Sequence, residues 1–377
     1  MTFCFFTAQY LPTPGGVERY TWNLARRCVA DGHRALIVTS ALPGLPARER
    51  DADGLEIWRL PALPVMHGRF PVLRPFAPAA DLWAQGIDFA VIQTRMYTQS
   101  VWAARQCKRR GIPAIVVDHS TGYMMHGGLG GVLGRWYEHA ACGIIRRCAF
   151  PFYGVSGDVC RWLQTFGVTA AGTLPNAVDP AELAALAGAE PRTDWRQKLQ
   201  VPPGGFLVAF VGRLIPEKGA LRLAEAVRRT PGCVLAAAGT GPEEAALRAL
   251  GAPVCPLGAL PHPQVVQLLA QADCYCLPTE YAEGFPTTLL EAAACGCPIV
   301  CTHTAGTGEL LPGDDCALFV DDTAPETLAA ALQAVQNDPD AARARAEKAR
   351  ANLDAHFTWQ AVFATMKEIA RTARAGR

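Results

Sequence analysis

The stretch Phe206-Leu-Val-Ala-Phe-Val-Gly-Arg-Leu-Ile-Pro-Glu-Lys-Gly219 decides how the chain is read. Six apolar residues without polar alternation, 206–211, predict a strand buried on both faces, the kind found in parallel sheets. Gly212 closes it, Arg213 and Lys218 occupy a turn, and helical spacing predicts a helix over 218–229. A strand that opens onto a helix start is a natural anion site, because the first amides of the helix have no partner within it. A guanidinium that binds bidentately and a compact ammonium suit a diphosphate there. Lys218 stands out further because only five of the 35 basic residues are lysine.

Outward from this stretch the same rhythm continues. Strands are predicted at 233–238, 274–277, 298–301 and 317–320, with helices at 243–250, 262–272 and 283–295. Upstream, strand patterns at 2–7, 35–39, 55–60, 89–93, 114–118 and 151–155 alternate with helical ones near 17–29, 98–110, 130–148 and 157–166. Such alternation predicts parallel sheets with helices on both faces. A length of 377 residues suits two domains. The Pro/Gly-rich stretch 174–205 reads as the hinge between them, and 324–374 as a helical tail. We therefore expect an α/β chain of two doubly wound domains facing across a cleft, with ligands at the carboxyl ends of the strands.

Composition excludes several other classes. Half of the residues are hydrophobic and the net charge is +1, so neither disorder nor a nucleic-acid-binding surface is expected. Apolar runs fall short of the ~18–20 residues of a membrane span. The apolar N-terminus lacks a basic leader region, so the 14 scattered cysteines are expected as reduced thiols in a cytoplasmic protein.

A second anion-type element is Glu283-Gly-Phe-Pro-Thr-Thr-Leu-Leu-Glu291. Pro286 suits a first helical turn. Glu291 then lies ~12 Å beyond Glu283 along a helix axis, too far for the carboxylate pair of a double displacement. The spacing suits one ligand with hydroxyls at each carboxylate and a phosphate at the amides of Thr287 and Thr288. Weaker patterns compete. Asp51-Ala-Asp53 has a D-x-D form but reads as a solvated turn. Gly239-Thr-Gly241 follows a strand, but Glu244 stands where a dinucleotide fingerprint needs a third glycine. Cys274-x-Cys276 and Cys295-x-Cys297 lack the two-residue spacing of zinc ribbons. The segment 127–147 mixes Trp136, Tyr137, Leu133, Ile144 and Ile145 with Arg135, Arg146 and Arg147, a pattern shared by packed helices and interfacial amphipathic ones.

G-R-L-x-x-x-K-G followed by E-G-F-P-x-x-x-x-E resembles the donor-binding signature of family 4 glycosyltransferases, retaining enzymes of the GT-B fold. Gly15-Gly16-Val17-Glu18 resembles the family's N-terminal glycine loop. Val155-Ser156, the run 174–179, the run 238–242, Pro256-Leu257-Gly258 and Phe357-Thr358-Trp359 match its landmarks in order. Asn176 is followed by Ala177 where the family more often has glycine.

The resemblance implies an N-terminal acceptor-binding domain, 1–175 with the crossing helix 356–377, and a donor-binding domain, 176–355. It implies that Arg213 and Lys218 hold the donor diphosphate, with Gly15, Gly16 and Gly212 beside it and the Gly16 amide meeting it from the opposite domain. Glu291 would bind the ribose hydroxyls. Glu283 with Gly284, Phe285 and Pro286 would contact the sugar, Thr287 and Thr288 the phosphate, and His119 the sugar and acceptor. It also implies front-face transfer with retention from a nucleoside-diphosphate sugar, UDP being the expected carrier, to a saccharide or lipid-linked acceptor. No metal or other cofactor is expected, nor any nucleic acid; weak peripheral membrane contact is compatible. The alternatives are a non-catalytic nucleotide-sugar-binding subunit and an NAD-dependent oxidoreductase.

Overall fold

A computed structural model describes residues 1–13, 15–66, 68–74, 80–125, 127–280, 285–304 and 306–375. It divides the chain into two units, Met1–Asn176 with Trp359–Arg377, and Ala177–Thr358.

The first unit begins with β1 (Thr2–Phe6), α1 (Gly16–Ala30), β2 (Arg34–Ser40), β3 (Arg48–Arg50) and β4 (Glu56–Leu60). A hairpin of β5 (Ala62–Val65) and β6 (Phe70–Leu73) follows, then α2 (Ala80–Trp83), β7 (Phe89–Gln93), α3 (Thr98–Arg110) and β8 (Ala114–Asp118). The unit continues through α4 (Gly128–Arg146), β9 (Phe152–Gly154), α5 (Gly157–Gln164) and β10 (Gly172–Thr173). Eight strands form one sheet in the order β10-β9-β8-β7-β1-β2-β4-β3, parallel except for the edge strand β3. Every residue of β1, β7 and β8 is buried, as their unbroken apolar runs require. Local signals set the helix ends: Ser156 accepts the Val159 amide at the start of α5, and Gly111 ends α3 at φ 63°. The chain winds outward from β1 in both directions, so the order reverses between β1 and β7.

The second unit holds β11 (Phe206–Val211), β12 (Cys233–Ala238), β13 (Val254–Gly258), β14 (Cys274–Leu277), β15 (Ile299–Thr302) and β16 (Leu318–Val320). They form an all-parallel sheet in the order β13-β12-β11-β14-β15-β16. This is the doubly wound dinucleotide-fold order, and its reversal lies between β11 and β14. β13 was not among the predicted strands, because Pro256 and an irregular register against Ala237 and Ala238 break its pattern at the sheet edge. Helices α6 (Pro180–Gly188), α7 (Trp195–Lys198), α8 (Ala220–Arg229), α9 (Glu244–Leu250), α10 (His262–Gln271), α11 (Thr287–Ala294), α12 (Thr307–Leu310), α13 (Pro325–Asn337) and α14 (Pro339–His356) complete the unit.

One expectation needs correction. The expected hinge 174–205 contains the division between the units at Asn176 and Ala177, but the rest of it belongs to the second unit and joins that unit's core through Val178, Leu183 and Trp195. Asp179 caps α6 with Pro180 in its first turn, and Trp195 is fully buried. Gln267 and Gln271, one turn apart on α10, bind this segment through the amides of Thr193 and Trp195 and the carbonyls of Ala189 and Thr193. The tail 324–374 is helical as expected, with two short interruptions. It breaks at Asp338, which caps α14, and again at Phe357–Thr358 before α15 (Trp359–Ala375). Only α15 returns to the first unit, where it packs on α1; Trp359 meets Tyr20 edge-on, ring centroids 5.4 Å apart, and Lys367 pairs with Asp31 at 2.8 Å.

Candidate functional site

In the second unit the site forms where the strand order reverses. β11 leads through Gly212, Arg213 and Leu214 into a short 3₁₀ turn, Pro216–Lys218, and then Gly219 at φ 74°. The helix begins at Ala220, two residues later than predicted, because Gly219 adopts the left-handed conformation that interrupts it. The loop is locked from two sides. Gly212 donates its amide to Ala238, Leu214 donates to Thr240, and Glu243 donates to Leu214. A side-chain carbon on Gly239 would overlap the Gly212 carbonyl oxygen, and one on Gly241 the Leu214 carbonyl. The Gly239-Thr-Gly241 pair is therefore explained by its fit against the Arg213 loop, with no need of a dinucleotide fingerprint. On the other side, the Glu217 carbonyl accepts the Glu280 amide at 2.8 Å, and Gly219 lies against the Pro278 carbonyl.

These contacts fix two cations. Arg213 is exposed, whereas Lys218 retains 8% of its exposure. Burial, and then the nearby Arg213 charge, push the Lys218 ammonium down to about 8. An anion arriving here would meet two positive groups and reverse that penalty.

Beyond β14, Phe285 and Pro286 are buried and lead into α11 at Thr287. Phe285 packs on Phe357, centroids 5.5 Å apart, and lies where any side chain at Gly306 would collide with it. Thr287 is exposed, and Thr288 is tied to the buried Tyr275 hydroxyl at 2.7 Å. Glu291, one turn further, is mostly buried and accepts a hydrogen bond from His262 Nε2 at 2.9 Å. His262 was not foreseen: 29 residues separate it from Glu291. Glu283 and Gly284 lie outside the described residues.

In the first unit, Gly15 precedes α1 and Gly16 is its first residue. The Glu18 carboxyl folds back over Gly15, so a side chain there would push it aside; burial holds that carboxyl above its usual range. His119 follows β8, Nε2 at 2.8 Å from Gln93 Oε1, with its ring edge-on to Tyr20. Burial pushes the imidazole down to about 4 against the opposing pull of Asp118. Thr94, between Gln93 and Arg95, sits at φ 59°, a strained conformation for a branched residue. Beneath it, Arg95 is fully buried and bridges Asp118 at 2.8 Å and Glu138 at 3.1 Å; Glu138 also accepts the Met124 amide. This network, invisible to local sequence reading, anchors the loop that carries His119. Gly15, Gly16 and His119 thus belong to the first unit; Gly212, Arg213, Lys218, Phe285, Pro286, Thr287, Thr288 and Glu291 belong to the second.

The competing patterns have structural explanations. Asp51 accepts the Leu55 amide and closes a turn, and Asp53 accepts the Trp22 indole N–H from α1. Cys274 and Cys276 lie in one apolar core, where burial pushes both thiols up. Among the described residues, no group of three or more His, Cys, Asp or Glu side chains is arranged to hold a metal.

Comparison with known proteins agrees with this architecture. Residues 14–182 match the Glycosyltransferase Family 4 model, and residues 191–352 match that of Glycosyl transferases group 1. The chain is 30% identical to glycogen synthase of Mycobacterium tuberculosis, over 96% of this chain and 92% of that one. It is 27% identical to the GDP-mannose-dependent alpha-(1-6)-phosphatidylinositol dimannoside mannosyltransferase of the same organism, over 95% and 92%. Among solved structures, sucrose-phosphate synthase from Thermosynechococcus elongatus superposes with a TM-score of 0.76, covering 100% of both chains at 20% identity. Anabaena HepE in complex with UDP gives 0.75 at 19% identity, covering 99% of this chain and 100% of that one. With both halves matched in order and a relative aligned over nearly its full length, the chain belongs to the family 4 glycosyltransferases and has their GT-B fold.

Proposed function

We propose that this glycosyltransferase moves a sugar, with retention of configuration, from a nucleoside-diphosphate sugar to a saccharide or lipid-linked acceptor. The observation that carries this reading is the loop at the β11–β14 reversal, where Arg213 and the buried Lys218 flank the start of a helix. In the transfer the bond from the anomeric carbon to the diphosphate oxygen breaks, and the acceptor oxygen bonds to that carbon from the same face. The acceptor proton passes to the departing diphosphate. Arg213 and Lys218 stabilise charge developing on that leaving group, so they act more strongly in the transition state than before it. The amides of Thr287 and Thr288 add helix-start donors, and Glu291 accepts from ribose hydroxyls. His119, largely neutral at neutral pH, contacts sugar or acceptor as a hydrogen-bonding group. Neither a metal nor another cofactor has a part in this scheme.

UDP is the carrier we favour. HepE was solved with UDP and with UDP-glucose, whereas the mycobacterial mannosyltransferase is named for GDP-mannose. A thermal-shift comparison of UDP, GDP and NAD tests the reading. A ligand that binds only the folded chain stabilises it by about 2.7 kcal/mol at 100 times its Kd. UDP or GDP should raise Tm and NAD should not; a response to NAD alone would point to the oxidoreductase. A nucleotide-sugar consumed in the presence of acceptor separates an enzyme from a binding subunit, which would leave it intact.

A lipid-linked acceptor, met at the cytoplasmic face of a membrane, has its own support. Leu129, Val132, Leu133 and Trp136 are exposed on one stripe of α4, at 76, 53, 59 and 71%, with Arg135 beside them. Among the described residues no helix is long and apolar enough to cross a membrane, so the contact would be peripheral. Co-sedimentation with anionic vesicles at low salt supports this form of the reading, and absence of binding removes it.

A further inference from the structure

The donor-site residues named above leave open how Glu291 is aimed. Glu291 lies on α11 between the buried Leu290 and Ala292, with its side chain 13% exposed. A carboxylate so enclosed is costly unless hydrogen-bonded. Its side-chain contact is at one oxygen: Oε1 receives His262 Nε2 at 2.9 Å, and Oε2 shows no partner among the described residues. An ionised carboxylate only accepts, so Nε2 of the imidazole carries the hydrogen.

His262 is itself well placed to hold still. It is the first residue of α10, following Pro261, whose carbonyl accepts the amides of Gln264 and Val265. The buried Val265, Val266, Leu268 and Leu269 anchor that helix, which packs against α11. The imidazole thus reaches Glu291 from a rigid neighbour, whereas a pair of flexible surface side chains would contribute little. Glu291 also lies four residues beyond Thr287, ~6 Å along the helix from its first amides. A single nucleotide can span that distance, with phosphate at the helix start and sugar hydroxyls at the carboxylate.

We infer that His262 is a positioning residue of the donor site: it fixes Oε1 of Glu291 so that Oε2 is presented to the ribose hydroxyls of the nucleotide. This deepens the donor-site reading proposed above and rests on it. A purely structural pair would join α10 to α11 without regard to ligand, so the test must separate ribose recognition from general stability.

Calorimetric titration does so, using UDP, GDP and their 2′,3′-dideoxy forms against wild type, His262→Ala and His262→Gln. The Gln amide nitrogen falls near the place of Nε2 and can donate the same hydrogen bond. His262→Ala should weaken the ribose nucleotide about tenfold, as loss of a hydrogen bond to a charged group implies, and leave the dideoxy form within about twofold. His262→Gln should recover most of the loss. Equal weakening of both forms, no weakening of either, or a Gln variant no better than Ala overturns the inference while the nucleotide reading stands. If wild type binds neither UDP nor GDP, the donor reading fails and His262 loses its role with it. Melting temperatures of the three proteins identify any variant that fails to fold.

Discussion

Lys218 and Arg213 are two cations five residues apart whose shared loop buries one beside the other, and burial together with the Arg213 charge brings Lys218 down to about 8. The sign of its effect follows. The folded form holds this proton less tightly than the unfolded chain, whose lysine titrates near 10.5. Between about pH 8 and 10.5 the unfolded chain therefore binds more protons, and this group's contribution to stability rises with pH through that window. Urea unfolding of wild type and Lys218→Met should diverge in this sense between pH 7.5 and 10. Parallel pH dependences would contradict the burial argument.

The same shift predicts proton uptake on ligand binding. A diphosphate beside Lys218 favours its charged form, so above about pH 8 each binding event should draw in part of a proton. Calorimetric enthalpies of UDP or GDP binding at pH 8.5 should then depend on the ionisation enthalpy of the buffer. In Lys218→Met that dependence should shrink.

Gly219 is required twice over, by its φ of 74° and by the Pro278 carbonyl that any side chain would meet. Gly219→Ala should cost ~2 kcal/mol or more and displace Lys218. Chemical denaturation reads the first effect and nucleotide affinity the second. A stable variant with unchanged affinity would show that the loop has another way to close.

Trp195→Ala should destabilise the second unit by ~3–5 kcal/mol, the usual range for removing a large buried aromatic. A true hinge residue would cost far less. This distinguishes the packed segment from the linker that proline and glycine content suggested.

Removing the Arg95 side chain leaves Asp118 and Glu138 as buried carboxylates without their guanidinium. Arg95→Leu should therefore cost ~3–5 kcal/mol and disturb the His119 loop. Full stability in that variant would mean the two acids accept protons at little cost.

The strands and the β11 loop were legible because their determinants are local. Unbroken apolar runs mark β1, β7, β8, β11 and β12, and Gly212, Arg213 and Lys218 sit within one turn sequence. What escaped depends on residues far apart in the chain. Trp195 is ordered by Gln271, 76 residues away; Glu291 is held by His262; Arg95 joins Asp118 and Glu138 from β8 and α4. The two-residue displacement of the helix start after Lys218 came from a single left-handed glycine, whose conformation no periodicity reveals. β13 was hidden by a proline that an edge strand tolerates.

The central claim is that the Arg213–Lys218 loop stabilises the departing diphosphate. Its most direct test is kcat/KM for sugar transfer by Lys218→Ala, using the nucleotide-sugar that most raises the wild-type Tm. A loss of at least about tenfold, equivalent to ~1.4 kcal/mol or more of transition-state stabilisation, is the predicted result. Transfer at near wild-type efficiency would contradict it.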